Sequence, residues 1–533
     1  MKMKSRLLLT LIIPCLLIPV QGCSQQSNLP KKQTPTAVES KTAASSTAYW
    51  PGDSWRVSTP EEQGMDSGRL LEMLNFIKDG GNEIHSIVVI RNGYKVMDAN
   101  FFPYKSDTKH VVFSCTKSIT STLFGIASGE GKIKSVDDKV LEYFSDKSIQ
   151  KVDEKKKELT LKHLLTMTAG FDWSEYGAYD SNDSWIQMRN SKNAVQYILD
   201  KPMKEKPGSS FYYNTGASHL LSAVLQKATG KKTADYAEQK LFKPLGIRDV
   251  YWEEDVEGIN IGGAGVYMSP LDMARLGYLY LRNGQWNGVQ VIPENWVKEA
   301  TNKHVETPAG LAGHDGYGYQ WWMNKFGGYS ARGFGGQYIF VLPEYDIVTV
   351  FTSSLQGSNF FLPEGLVESF IIPSAKSTES INGNTEAPRK LQRTVEVLQK
   401  APEPKEIPAL SQIAKDISGK LMKLENGEEL VLSFNEGKNA EFRHGPTNNM
   451  LVGLDGVYRV SDAGKYWPLP DNNMIAAKGV WEDHKTFVLT VISLHEMDKL
   501  TYRFTFEGQA VNVEFLSQQG GEIMKSKGQV KAE

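Results

Sequence analysis

Ser114 and Lys117 stand three residues apart in Val112-Phe113-Ser114-Cys115-Thr116-Lys117-Ser118-Ile119-Thr120. On a helix that spacing is one turn, so a hydroxyl and an amine project from the same face. A serine hydroxyl becomes a good nucleophile when a neighbouring base takes its proton, and a lysine partly stripped of water can be that base. A helix N-terminus assists, because its partial positive charge favours a developing alkoxide and disfavours a protonated ammonium. The same spacing recurs at Ser106/Lys109 and Ser148/Lys151, but in charged, surface-like sequence. Ser114 differs in its setting. Valines and a phenylalanine precede it, and Ile119, Leu123 and Ile126 follow as an apolar face that ends at Gly129 and Gly131. Cys115, a competing nucleophile by type, points ~100° away from Ser114 on a helix. It reads as a small core residue.

Acyl transfer by such a pair requires a second proton carrier for the leaving group and donors for the oxyanion. Pro207-Gly208-Ser209-Ser210-Phe211-Tyr212-Tyr213-Asn214-Thr215-Gly216 offers two phenols on a turn just before an apolar helix. Other chemistries lack support. There is no Gly-x-Ser-x-Gly elbow. His495-Glu496 has no second histidine at helical spacing, and the nine histidines form no metal-ligand cluster. Gly333-Phe334-Gly335-Gly336 does not open a helix after a strand, as a dinucleotide loop would. His85 and His163 read as structural histidines, and Trp321-Trp322 as core or cleft wall. No metal and no organic cofactor is called for.

The elements that must position these residues follow from periodicity. Arg69–Lys78 is a helical stretch, His85–Ile90 and Tyr94–Phe102 are strands joined at Asn92-Gly93, and the Ser114 helix spans 114–128. A short helix is expected at Thr160–Met167, an apolar one at Ala217–Ala228, and a capped one from Ser269-Pro270 to Asn283-Gly284. Tyr338–Leu342 and Ile347–Ser353 are apolar strands around a Pro343–Asp346 turn. Strands at both ends and helices between them predict one antiparallel sheet with helices against it, an α+β class. Near the carboxy terminus Leu500, Tyr502, Phe504 and Phe506 alternate strictly, as do Val511, Val513 and Phe515. That pattern predicts a small antiparallel barrel or sandwich.

Four segments together carry a resemblance: Phe113–Ser118, Leu164-Leu165-Thr166-Met167-Thr168-Ala169-Gly170, Pro207–Leu221 and Gly333-Phe334-Gly335-Gly336-Gln337. From about Trp55 to Leu355 the chain resembles the serine β-lactamase and penicillin-binding-protein-like superfamily. Its motifs lie nearest the 6-aminohexanoate-dimer hydrolase branch. The resemblance implies a β-lactamase/transpeptidase-like domain with a helical subdomain, Ser114 as nucleophile and Lys117 as its base. The family's tyrosine falls on Tyr212 by literal Tyr-x-Asn matching, and on Tyr213, with Thr215 as third member, by spacing. Spacing favours Tyr213. Oxyanion donors are implied at the backbone of Ser114 and of Phe334, with Gly335 in reserve. The strand that carries Lys-Thr-Gly or His-x-Gly in penicillin-directed members reads Ala331-Arg332-Gly333-Phe334-Gly335, without Lys or His. Arg332 either replaces that cation or points to solvent, since a strand alternates faces. Tyr176, Tyr179 and Asp183 lie in a polar, aromatic loop that either lines an entrance or is simply solvated.

The implied activity is a serine hydrolase cleaving an amide or ester through an acyl-enzyme. Two alternatives stand beside it: a D,D-peptidase or β-lactamase, and a non-catalytic lipoprotein that binds peptidoglycan or a protein partner. A net charge of −2 over 533 residues gives no electrostatic reason for nucleic acid as a partner. Met1–Gly22 has a basic start and an apolar run too short to span a bilayer comfortably, which reads as a signal peptide. It closes on Val20-Gln21-Gly22-Cys23, similar to a bacterial lipoprotein cleavage box, so Cys23 is the expected lipid attachment point. Each buried methylene of an acyl chain would add ~0.8 kcal/mol of membrane affinity. The implied address is the extracytoplasmic face of the bacterial envelope. Residues 23–48 read as a flexible tether, 49–373 as the hydrolase domain, 374–410 as a linker, and 411–525 as the β domain.

Overall fold

The computed structural model describes residues 49–175, 182–308, 314–381, 386–435, 437–445, 448–462, 473–518 and 521–531. The expected signal peptide, Cys23, the tether, Tyr176 and Tyr179 lie outside these residues. Two compact units emerge. One runs to Glu175 and resumes from Gln187 to Lys400, and the other takes in the chain from Ala401 onward together with a short segment ending at Ile186.

The first unit is built on a seven-stranded antiparallel sheet. Its strands are β1 (Ile84–Arg91), β2 (Tyr94–Asn100), β3 (His314–Tyr317), β4 (Trp322–Asn324), β5 (Tyr329–Gly333), β6 (Gln337–Leu342) and β7 (Ile347–Ser353), in the order β2-β1-β7-β6-β5-β4-β3. The two ends of the domain meet at the centre of the sheet, where β1 pairs with β7 in a register that sets Val88 opposite Val350. Both strands are rich in β-branched residues and buried along their whole length, so each face of the sheet must be covered. Helix α1 (Ser67–Asp79) helps cover one face, burying Leu70, Met73, Leu74 and Ile77 at helical spacing. Asp66 starts it by accepting from the Gly68 amide.

Three more helices organise the rest: α2 (Cys115–Gly129), α3 (Thr215–Thr229) and α4 (Pro270–Leu281). Helix α4 packs on β1, β6 and β7. Gly277 permits the close approach, since a Cβ there would lie 2.6 Å from Val348 and 2.8 Å from Ile339. Helix α2 is buried on every side from Cys115 to Ala127. Several of its polar side chains find distant backbone acceptors: the Ser118 hydroxyl donates to the Gln320 carbonyl at 2.7 Å and Thr120 to Gly262 at 2.7 Å.

One expectation is corrected. The stretch read as a continuous linker, 374–410, contains helix α5 (Glu386–Gln399), which packs on α1 and β2 inside the first unit. Leu391 and Val395 are buried and Leu398 is partly so, an i, i+4, i+7 stripe that a polar composition concealed.

The second unit is an all-β barrel. Among the described residues its sheet has ten strands, from Leu421–Leu424 to Gly521–Val530; neighbours in the sheet are antiparallel, the first strand pairing with the last, and a parallel contact between Gly453 and Lys478 closes the ring. The alternating Leu500, Tyr502, Phe504 and Phe506 enter its core with Val511, Val513 and Phe515. The last strand continues past 525, because Val530 pairs with Met422. Ala414 and Ile417, on a short helix before the barrel, share the same core.

A linker residue and a core residue respond differently to truncation. Leu391→Ala should lower stability by about 2–5 kcal/mol, as for other buried leucines. Denaturant melts of the full chain check this, a change under about 0.5 kcal/mol being the signature of a solvated linker.

Candidate active site

Ser114 is delivered by a sharp change of backbone direction. The two-residue strand His110–Val111 pairs with Val266–Met268, and the Val112 amide donates to the Val266 carbonyl at 2.9 Å. Phe113 then takes a left-handed conformation (φ 44°), uncommon for a residue with a side chain. Ser114 follows as the residue that caps α2, yet its hydroxyl caps nothing. The oxygen instead lies 2.9 Å from Lys117 Nζ, one turn along.

Lys117 is buried, and three oxygens surround its nitrogen. They are Ser114 Oγ at 2.9 Å, Thr215 Oγ1 at 2.9 Å and the Gly263 carbonyl at 2.8 Å. Burial lowers the amine's pKa from 10.5 to about 8, while the nearby Glu175 and Cys115 pull it back up. The Tyr213 ring lies beside it, its centroid 4.7 Å from Nζ. Cys115 is buried with Sγ 3.4 Å from the Gln337 carbonyl, and burial pushes its thiol pKa far up, as suits a core residue.

The tyrosine segment is held by the Thr166-Met167-Thr168 motif. Met167, also left-handed at φ 58°, accepts the Tyr212 amide on its carbonyl at 2.8 Å and the Asn214 amide on its sulfur at 3.3 Å. Asn214 caps α3 by accepting from the Ala217 amide. Tyr213 stacks on Trp322 with centroids 5.9 Å apart. Ser114, Lys117, Tyr213 and Thr215 thus converge from two helix N-termini.

Two participants escaped the sequence reading. Glu175 accepts from the Thr215 amide at 2.6 Å, from Trp173 Nε1 at 2.7 Å and from the Thr215 hydroxyl. The Gly263 carbonyl is the other. Glu175 sits 40 residues from its threonine partner, so no local pattern marks it. A trace of this contact in the sequence is Gly216, where a Cβ would stand 2.5 Å from the Trp173 ring.

With this geometry in hand, residues 85–367, a little over half of the chain, match the family model described as Beta-lactamase. The chain belongs to the Beta-lactamase family. Members of this family are serine hydrolases. The 6-aminohexanoate-dimer hydrolase of Paenarthrobacter ureafaciens is 24% identical over 297 residues, covering 53% of this chain and 75% of that protein. Beta-lactamase-like protein 4 of Dictyostelium discoideum is 25% identical over 252 residues, covering 40% of this chain and 43% of that protein. A solved structure described as "Putative 6-aminohexanoate-dimer hydrolase from Bacillus anthracis" shares the fold. It superposes with a TM-score of 0.51 at 22% identity, covering 63% of this chain and 89% of that one.

Against this family background, the strand beside Ser114 is informative. Gly333 ends β5 with its backbone pressed on Val112, so a Cβ would lie 2.2 Å from the Val112 carbonyl oxygen. Phe334 follows and meets Phe113 edge-to-face at 5.8 Å, which brings the turn after β5 next to Ser114. Gly335 and Gly336 (φ 75° and 87°) make that turn, and their carbonyls accept from the Ser353 hydroxyl. Arg332 does not point to solvent. Its side chain is only 11% exposed, 3.9 Å from Glu364 and 4.5 Å from the centroids of both Phe360 and Phe361.

The remaining candidates have structural work. Ser106 and Lys109 are buried rather than on the surface, with Ser106 donating to Asp98 and Lys109 paired to Asp249. His163 completes a capping box with Thr160, and His85 packs on Tyr104 and His110. Asp183 accepts from the Trp185 and Ile186 amides and caps a short helix.

Gly333→Ala should force β5 away from Val112 at a cost of about 1–3 kcal/mol, the usual range for overpacking. Thermal melting together with the rate of Ser114 labelling by a fluorophosphonate reads both effects: a lower midpoint and slower labelling are expected.

Proposed function

We propose that this chain is an extracytoplasmic serine hydrolase that cleaves an amide or ester through an acyl-enzyme on Ser114. The observation that carries the reading is the 2.9 Å contact between Ser114 Oγ and the buried Lys117 Nζ. In the proposed sequence Lys117, in its neutral form and working with Tyr213, takes the Ser114 proton as the oxygen attacks a carbonyl carbon. Backbone amides of Ser114 and Phe334 hold the oxyanion, Tyr213 returns the proton to the leaving group, and water releases the acyl group. Phe113, Phe334, Phe360 and Tyr213, all half-buried, set aromatic surface around the nucleophile, which suits an apolar or planar group on the substrate.

The address is part of the same proposal: a lipid on Cys23 would tether the enzyme to the outer face of the cytoplasmic membrane. Among the described residues no helix is long and apolar enough to cross a membrane. A Cys23→Ala protein should leave the membrane fraction once its signal peptide is removed, and retention there would refute the anchor.

Turnover of p-nitrophenyl butyrate, with a fluorescent penicillin as a parallel label, tests the chemistry. Ser114→Ala should abolish both signals. Tyr213→Phe should lower kcat on the order of 10²-fold, in line with the loss of a general acid–base group, while Tyr212→Phe leaves most of it. Because the neutral amine is the reactive form, kcat/KM should rise with pH through an inflection near 8. Folded protein with neither ester turnover nor covalent labelling would sink the hydrolase reading, and preferential reaction with the penicillin would redirect it to D,D-peptidase chemistry.

A further inference from the structure

Thr215 Oγ1 stands between a carboxylate and an amine. It donates its hydrogen to Glu175 Oε1 and accepts from Lys117 Nζ at 2.9 Å. A hydroxyl has one hydrogen, and an ionised carboxylate can only accept, so that hydrogen is committed to Glu175. The threonine lone pairs are then all that Lys117 meets. The Gly263 carbonyl, also acceptor-only, takes a second amine hydrogen at 2.8 Å. A neutral amine has two hydrogens and one lone pair. With both hydrogens used, the lone pair is left on the third side, where Ser114 Oγ lies at 2.9 Å.

We propose that Glu175 is a positioning residue which, by holding the Thr215 hydrogen, turns the Lys117 lone pair onto Ser114. The inference rests on the proposed Ser114 hydrolase reading and adds a residue that acts through Thr215 and Lys117. Two further observations support it. Glu175 Oε2 is itself fixed by two N–H donors, Thr215 N at 2.6 Å and Trp173 Nε1 at 2.7 Å, so the carboxylate cannot turn. Gly216 leaves the room that Trp173 needs to make its bond. Charge and geometry are separable here, because the Glu175 charge favours the Lys117 ammonium while its hydrogen bond to Thr215 orders the neutral amine. The titratable groups facing Lys117 are Glu175, Tyr213 and, on its own helix, Cys115, whose buried thiol stays protonated. Burial pushes the Glu175 carboxyl above the ordinary range, while Lys117 and the donors from Thr215 and Trp173 pull it back towards the ionised form.

Glu175→Gln is diagnostic because it is isosteric and reverses the relay. Two N–H donors converge on Oε2, so the amide must place its oxygen there and its NH₂ against Thr215 Oγ1. The threonine hydrogen is then driven towards Lys117, where it competes with Ser114 for the lone pair. The test uses the full chain with p-nitrophenyl butyrate, pH–rate profiles, thermal melts, and NMR titration of ¹³Cε-labelled lysine to follow Lys117. In Glu175→Gln, kcat should fall on the order of 10²-fold with KM nearly unchanged, the scale of a lost acid–base contribution. The Lys117 midpoint and the rising limb of the profile should both move to lower pH, because a negative charge that favoured the ammonium is gone. Thr215→Ser should keep most activity and Thr215→Val should lose it. A folded Glu175→Gln protein with unchanged kcat overturns the proposal. So does equal loss in Thr215→Ser and Thr215→Val, which serves as the test if Glu175→Gln does not fold. If the wild type turns over no ester, the hydrolase reading fails, and a Lys117 midpoint that does not fall in Glu175→Gln removes the relay as well.

Discussion

A buried amine must find all of its hydrogen-bond partners within the protein, and Lys117 finds them on three separate stretches of chain. Ser114 belongs to the start of α2, Thr215 to the start of α3, and Gly263 to the loop before the Val266–Met268 strand. Each stretch has its own means of approach. Asn214 caps α3 so that Thr215 begins the helix beside the amine. Gly262 and Gly263 lie flat on α3, where a Cβ would come within 2.2 Å of the Ser218 carbonyl oxygen and 2.5 Å of the Thr215 methyl. Their consecutive carbonyls then serve α2, one taking Thr120 and the other Lys117. The glycine pair is thus part of the amine's solvation shell as much as of the backbone.

This arrangement weakens the fold locally. A fall from 10.5 to about 8 means that the folded chain disfavours the ammonium by about 3 kcal/mol at neutral pH, at ~1.4 kcal/mol per unit. The sign follows from proton uptake. Between pH 8 and 10 the unfolded chain binds more protons at this lysine than the folded one, so this contribution to stability rises with pH and is most unfavourable below 8. The offset comes from packing around the site: a helix α2 buried on all sides and the cluster of Met167, Phe211, Tyr317 and Trp322 beneath the tyrosine. The same desolvation that costs stability keeps a usable fraction of the amine neutral.

What the sequence made legible was local. Ser114 and Lys117 could be paired because one helical turn joins them, and the strands at 84–100 and 337–353 because β-branched runs and their turns are short-range signals. Thr215 came within reach because motif spacing favoured Tyr213 with Thr215 as third member. Glu175 and Gly263 did not, since each acts through a contact with a distant segment and neither sits in a pattern of its own. Helix α5 was hidden for a different reason: Leu391, Val395 and Leu398 suffice to dock it on α1 and β2, a stripe too short to stand out from the Glu, Gln, Arg, Lys and Thr around it. Arg332 shows the limit of strand alternation. Period two says only that it faces opposite to Gly333, and whether that face is solvent depends on Phe360, Phe361 and Glu364, which arrive later in the chain.

The position of Arg332 also bears on what the cleft can recognise. A cation that is to hold a substrate carboxylate must be exchangeable, with its charge directed at the ligand. Here the guanidinium lies near Glu364, which in turn accepts the Tyr338 hydroxyl at 3.0 Å, and two phenylalanine rings cover it. Removing it from that setting would strand a carboxylate that is only 6% exposed, a penalty of several kcal/mol. Gly333, the next residue, cannot carry a side chain because Val112 occupies the space. The strand therefore presents backbone and aromatic surface to Ser114, not a ready positive charge.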